Sequence, residues 1–239
     1  MKNKKLLPVI GVATLSLVSC GKYTQLYKNL TNVTDFLHTI EFDDFRYDSE
    51  LETIVIKGPA GCSSVRNGDY VGRNFDFCYN DVPTFVTRVN KTEDHFASIS
   101  IAQHFQLSED KLLANEYSAE TLDLLPNCTL DGINENGVYI NDNVVVIEEN
   151  GVSIETNPGK EKIHMLLVPR YVLDHASSAE EAVNMIKNDL SIYGDCAGKA
   201  YLHYMICDAQ ETYIVEIFNN QILKYLDLAK NVDNVPKES

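Results

Sequence analysis

The stretch Gly61–Phe77, GCSSVRNGDYVGRNFDF, decides how this chain reads. Two β-prone runs flank an Asn67-Gly68 step, a strong short-range sign of a β-hairpin, because both residues tolerate the positive φ of a two-residue turn. Cys62 stands at the head of the first strand, directly after Gly61, and Arg73 and Asp76 return toward it along the second. A thiol attacks only as thiolate, so it needs a base. The usual base is histidine, but none of His38, His95, His104, His164, His175 and His203 lies in a recognisable cysteine-protease context. Another base becomes available if the chain is cut between Gly61 and Cys62. Cys62 would then carry an α-amine with an ordinary pKa of about 8, tied to the nucleophile by covalent geometry. Gly61 suits such a cut, since a residue without Cβ can take a strained conformation that exposes its carbonyl to the thiol.

The chain has 239 residues, 44% of them hydrophobic, enough for one sizeable core. A formal net charge of −15 argues against nucleic acid as a partner, because carboxylates repel phosphates. Residues 1–20 read as a targeting segment: MKNKK is a basic start, LLPVIGVATLSLV is an apolar run too short to span a bilayer, and LVSCG follows. That ending resembles the bacterial lipobox, which implies a lipid on Cys20, an extracytoplasmic protein and anchorage to a bacterial membrane surface. Setting Cys20 aside leaves Cys62, Cys78, Cys128, Cys196 and Cys207, an odd number, so at least one thiol stays unpaired by disulfides within the chain. No Cys/His cluster has zinc spacing, and no metal site is expected.

Along the chain, residues 23–41 (YTQLYKNLTNVTDFLHTIE) place apolar side chains at helical spacing, predicting a short amphipathic helix. ETIVIKG, TFVTRVN, FASISIA and GVYINDNVVVIEE read as strands. EKIHMLLVPRYVLDHA reads as a helix carrying His164 and His175, and Ser178-Ala-Glu-Glu181 opens another with a capping-box pattern. YLHYMICD, TYIVEIF and ILKYLD close as successive strands. Strands cluster at both ends with helices between, so α+β is the expected class.

Three segments, GCSS…GDYVGRNFDF, LDGINENGVYIND and LHYMICDAQETYIVEI, together resemble the linear-amide C–N hydrolases of the choloylglycine hydrolase group. These are N-terminal-nucleophile (Ntn) hydrolases related to penicillin V acylase, bile salt hydrolase and acid ceramidase-like amidases. PRYVLDHASSAEEAVNMI fits the helical pair of such proteins, and the resemblance covers about residues 52–230. It implies an αββα sandwich, a propeptide over residues 21–61, an Ntn domain over 62–239 and autocleavage at Gly61-Cys62. Cys62 becomes the nucleophile. Arg73 would hold the thiolate and substrate by its charge, and Asp76 would accept a hydrogen bond from the new amine. For both to serve, the strand must end or bend near Asn74. An oxyanion-hole asparagine is implied after the DGINENG turn; Asn141 and Asn143 compete for it, with Asn143 the aligned choice. No cofactor is implied, and the substrates would be small N-acyl amides.

The chain departs from the pattern at its C-terminal end. The group continues beyond the final strand with more sheet and helix, a second asparagine and another catalytic arginine, whereas this sequence ends LAKNVDNVPKES. Asn231 and Asn234 are the remnants on offer for that asparagine. The expected sandwich is therefore incomplete, as a fragment, as a truncated inactive protein, or with a partner chain completing it; a homo-oligomer is a separate possibility. Two rivals stay open: an inert lipid-anchored protein, and a Cys/His hydrolase without cleavage.

Overall fold

The computed structural model describes residues 24–47, 61–76, 83–103, 118–146, 154–194, 200–218 and 221–226. The elements in chain order begin with β1 (Tyr27–Asn32), β2 (Leu37–Phe42), β3 (Gly61–Asn67) and β4 (Tyr70–Asp76). Then come β5 (Thr84–Val89), β6 (Ser98–Gln103), a single helical turn α1 (Ala119–Leu122) and a 3-10 turn (Leu125–Cys128). β7 (Thr129–Asn134), β8 (Tyr139–Val146), β9 (Ile154–Glu155) and β10 (Glu161–His164) lead into helices α2 (Val168–His175) and α3 (Ala179–Asn188). β11 (Leu190–Gly194), β12 (Ala200–Cys207), β13 (Thr212–Phe218) and β14 (Gln221–Leu226) complete the described chain.

One sheet of nine strands, ordered β1-β2-β5-β6-β7-β8-β12-β13-β14, dominates the molecule. Its pairs are antiparallel except β2–β5, which is parallel. Helices α2 and α3 cover one face. Val138, Ile140, Tyr204, Ile206, Val215 and Ile217 from the sheet side pack there on Val172, Leu173, Ala182, Val183 and Ile186, all 7% exposed or less. The β3–β4 hairpin lies against the other face, reached by β8 residues of opposite parity, Asn141 and Asn143. The class is α+β, as expected. Of the four layers of an αββα sandwich, the described residues supply a helical layer, the large sheet and the two-stranded hairpin.

Two sequence expectations are corrected. Residues 27–32 and 37–42 are strands, not a helix. Their apolar spacing suits a helix, but Thr31, Val33, Thr34, Asn29 and Asn32 are poor helix formers. Tertiary burial settles the matter: alternate β2 residues Ile40 and Phe42 enter a core with Phe45, Phe85, Val89, Ala102 and Leu125. Asn29, at φ 52°, sits where the β1–β2 register shifts. Likewise, EKIH is strand β10, paired parallel with β11, so His164 is a strand residue. The helix begins only at Val168, with Pro169 in its first turn, where a missing N–H costs nothing. The N-cap of α3 is as expected, with Ser178 Oγ accepting from Glu181 N, while the Glu181 carboxylate reaches one residue further than a capping box, to Ser177 N–H. ETIVIKG lies outside the described residues.

The strands β1 and β2 fall in the segment expected as a propeptide, and they are built into the large sheet. Asp123 Oδ1 accepts from Leu26 N and Tyr27 N, each at 3.0 Å, and Asn127 Nδ2 donates to Arg46 O at 2.8 Å. Tyr47 donates its hydroxyl to Asp174 on α2. Phe42 is fully buried whereas Phe36 is 51% exposed, which separates core packing from mere membership of the segment. Phe42→Ala is expected to cost about 3–5 kcal/mol and Phe36→Ala no more than about 0.5 kcal/mol, read from urea unfolding midpoints.

Candidate active site

The hairpin turns at Gly68-Asp69, one residue beyond the expected Asn67-Gly68 step, because Asn67 pairs with Tyr70. Gly68 takes φ +60°, a conformation that a side chain resists. Within the hairpin Cys62 faces Phe75, and Ser64 faces Arg73. Alternation places Cys62, Ser64, Arg66, Arg73 and Phe75 on the partly buried face and Gly61, Asn74 and Asp76 on the exposed one.

Three polar clamps hold that inner face to the sheet. At the hairpin tip, Arg66 Nη1 donates to Glu211 O at 2.9 Å and to Thr212 Oγ1 at 2.6 Å, at the turn between β12 and β13. In the middle, Asn141 Nδ2 donates to Ser64 Oγ at 2.8 Å, and Ser64 Oγ donates to Asn143 Oδ1 at 3.2 Å. Nearest Cys62, Arg73 reaches into the sheet. Its Nη1 donates to Asp131 Oδ2 at 3.3 Å, and its Nη2 donates to Asp142 Oδ1 at 2.9 Å and to the Asp142 carbonyl. The same Nη2 stands 3.8 Å from Cys62 Sγ, and the guanidinium lies 5.0 Å from the Phe75 ring centre. Cys62 is a free thiol, and Arg73 is its hydrogen-bonding partner among the described residues.

The residues of the DGINENG turn now have separate physical tasks. Asp131 pairs with Arg73. A Cβ at Gly132 would come within 2.7 Å of the Ile99 carbonyl and 2.8 Å of Leu173 Cδ1, so only glycine lets β7 pass this close beneath α2. Asn134 Nδ2 donates to Leu173 O and Ala176 O at the end of α2, while its Oδ1 accepts from Asn136 N and Val138 N. Gly137 takes φ +79°.

The two competing asparagines differ in what they have left to offer. Both side-chain N–H groups of Asn141 are engaged, by Ser64 Oγ and by Tyr139 Oη at 3.1 Å. Asn143 Nδ2 spends one N–H on Asn141 Oδ1 at 2.8 Å and, among the described residues, keeps its second. Asn143 is 4% exposed. It is the asparagine with a donor to spare.

Cys62, Arg73 and Asn143 are thus gathered on one face of the hairpin–sheet junction, and Asp76 is not. Asp76 faces Gly61 across the hairpin, on the exposed side, and β4 continues regularly through Asn74 rather than bending there. Gly61 is extended strand without the positive φ that marks a strained glycine. Cys20, Asn231, Asn234 and His104 lie outside the described residues. Sequence reasoning missed Asp131 and Asp142 as partners of Arg73. Their one available signal was two carboxylates around the DGINENG turn in a chain expected to bury an arginine.

The electrostatics follow from one cation against two carboxylates in a nearly dry place. The Arg73 and Asp142 side chains are each 5% exposed and that of Asp131 is 16%. Burial opposes the charge on Arg73, but Asp142 and Asp131 outweigh it and its pKa rises. Burial raises the Asp142 carboxyl from 3.8 to about 6, with Arg73 opposing and Asp131 reinforcing the rise. Burial also lifts Asp131, and it lifts the Tyr139 phenol, which Asp131 pushes further, so that phenol stays neutral. The native state therefore holds the Asp142 proton to a higher pH than the unfolded chain. What this contributes to stability is present below the ordinary carboxylate pKa and is lost as pH rises through about 6. Arg73→Ala leaves two buried carboxylates unpaired at neutral pH, with an expected loss of about 3–5 kcal/mol. The loss shrinks when urea unfolding is repeated below about pH 6, where Asp142 takes up its proton.

Comparison with solved structures returns low similarity. Two variants of conjugated bile acid hydrolase from Clostridium perfringens match with 18% identity over 55% of this chain (TM-score 0.37) and 19% over 71% (TM-score 0.43). Penicillin V acylase from Agrobacterium tumefaciens matches with 18% identity over 73% of this chain (TM-score 0.38). The chain spans 36%, 51% and 44% of the length of those three proteins. No curated protein matches it by sequence. The family model is decisive instead: residues 63–236 match the linear amide C–N hydrolases, and this chain belongs to the choloylglycine hydrolase family.

Proposed function

We propose that the chain is a hydrolase of linear amide bonds in small N-acyl compounds, with Cys62 as a nucleophile that autocleavage at Gly61-Cys62 turns into the N-terminal residue. The observation that carries the proposal is Cys62 Sγ at 3.8 Å from the buried guanidinium of Arg73, next to Gly61, in a chain of this family. A cation at that distance favours the thiolate.

Activation takes two steps. The Cys62 sulfur attacks the Gly61 carbonyl carbon, the C–N bond to Cys62 breaks, and the acyl group rests on sulfur while the nitrogen gains a proton. Water then hydrolyses the thioester, leaving a Gly61 carboxylate, a free thiol and a free α-amine. In turnover the amine takes the thiol proton and passes it to the leaving nitrogen of the substrate amide. The acyl-enzyme thioester is hydrolysed by water. Asn143 offers its spare N–H to the developing oxyanion; loss of such a donor costs about 10²–10³ in rate. Asp76, which faces Gly61 across the hairpin, is the carboxylate beside the new terminus. The mechanism needs no cofactor.

The partnership of Cys62 with Arg73, rather than with any histidine among the described residues, favours this route over a Cys/His one. The proposal extends to a lipid on Cys20 and to work outside the cytoplasm at a bacterial membrane, carried by the LVSCG sequence. No helix among the described residues is long and apolar enough to cross a membrane. The test is the intact mass of protein made without residues 1–20, beside a Cys62→Ala control. The wild type is expected to lose everything through Gly61 and the control nothing; if both stay uncut while folded, the processing mechanism is wrong.

A further inference from the structure

Arg73 is over-neutralised. It meets two carboxylates, and both are closer to its nitrogens than the Cys62 sulfur is: 2.9 Å to Asp142 and 3.3 Å to Asp131, against 3.8 Å to Sγ. With all three charged, the group carries a net negative charge beside a thiol that must become an anion to react. A reactive cysteine is ordinarily found in electropositive surroundings. Both carboxylates thus compete with the Cys62 sulfur for the one charge of Arg73.

We propose that Asp142 is a positioning residue that governs Cys62 through Arg73: ionised, it draws the guanidinium's charge away from the sulfur, and protonated, it releases that charge to the thiolate. The inference rests on Cys62 being the nucleophile, as proposed above. Asp142 suits the role better than Asp131. It makes the shorter contact, holds the same Nη2 that faces Cys62, and anchors that nitrogen a second time through its own carbonyl. It is also the carboxyl whose burial carries it to about 6, within reach of ordinary working pH.

The groups around Asp142 leave it in control. From β4 it faces Arg73, which alone among the described residues links it to Cys62 on β3, and from β7 Asp131 acts on it through space. On its own strand Tyr139 is kept neutral by burial. On β12 it pairs with Tyr204, whose hydroxyl is given to the Met165 carbonyl. The neighbouring His203, lowered by burial with Glu216 opposing, faces Asn143. On α2, Arg170 spends Nη2 on Ser98 and Asp174, Tyr171 stacks edge-on with His175, and none of these hydrogen-bonds to Asp142.

The experiment is the rate of Cys62 alkylation by iodoacetamide against pH, followed by mass spectrometry of the Cys62 peptide in the full chain. Wild type is compared with Asp142→Asn, which keeps an acceptor oxygen for Arg73 and removes the charge. The expected result is alkylation about tenfold faster in the variant near neutral pH, with the profile moved to lower pH. The wild-type profile should carry a shoulder above roughly pH 6 that the variant lacks, because Asp142 loses its proton there and opposes the thiolate. An unchanged or slower folded variant overturns the proposal. Should the variant fail to fold, the wild-type profile decides alone: a shoulder supports the proposal, and a simple one-proton curve overturns it. The peptide mass also reports whether Cys62 is internal or N-terminal, so failure of the cleavage mechanism is seen separately from failure of this coupling.

Discussion

A guanidinium in a nearly dry place is the constraint from which the site's construction follows. An unpaired charge there would cost several kcal/mol, so Arg73 can be buried only where carboxylates come to meet it. Asp131 and Asp142 do so from adjacent strands of the large sheet. The two faces of that sheet are consequently held by different means. The helical face is joined by close apolar packing, which is strong and tolerant of small shifts. The hairpin face is joined by directional contacts through Arg66, Ser64 and Arg73. A two-stranded hairpin is marginal by itself, and directional contacts fix where it sits more than how tightly. Placing one sulfur atom within a fraction of an ångström is a task for the second kind of joint.

The DGINENG segment shows how few residues such a junction needs. Asp131 turns toward the hairpin, and Gly132 removes its side chain so that Leu173 can approach from the other face. Asn134 ties the following turn to the end of α2. One strand thus transmits the position of the helix to the position of the arginine. Asn141 and Asn143, two residues apart on β8, extend the same polar surface toward the hairpin.

Much of this was legible because it is local. The hairpin is signalled by Asn67 and Gly68, and the start of α3 by Ser178 and Glu181, since turns and caps are made by residues close in sequence. The family was legible because its motifs keep their order. What failed depends on distant partners. The spacing of Leu26, Leu30 and Leu37 is helical on paper, but a buried seat for Phe42 beside Phe85 outweighs it, and that seat is made by residues over forty positions on. His164 was lost to a helix because nothing nearby announces β11 as its partner. The pairing of Arg73 with Asp131 and Asp142 spans 58 and 69 residues and has no local sign. The turn's one-residue offset is finer still: either placement keeps a glycine where positive φ is needed.

The parallel pairing of β2 with β5 has a consequence for how the molecule comes apart. The hairpin bearing Cys62 lies inside the connection between those two strands. While that connection is whole, β2 finds β5 as one part of a chain finds another, at the high effective concentration a tether provides. Were it severed ahead of Cys62, as proposed, the same hydrogen bonds and the same buried phenylalanines would have to hold two separate polypeptides. The native fold would be unchanged, yet its reassembly would become a bimolecular event whose yield falls with dilution. Maturation at that bond would turn a reversible fold into one guarded by its unfolding barrier alone, a protein that is durable while assembled and seldom made twice.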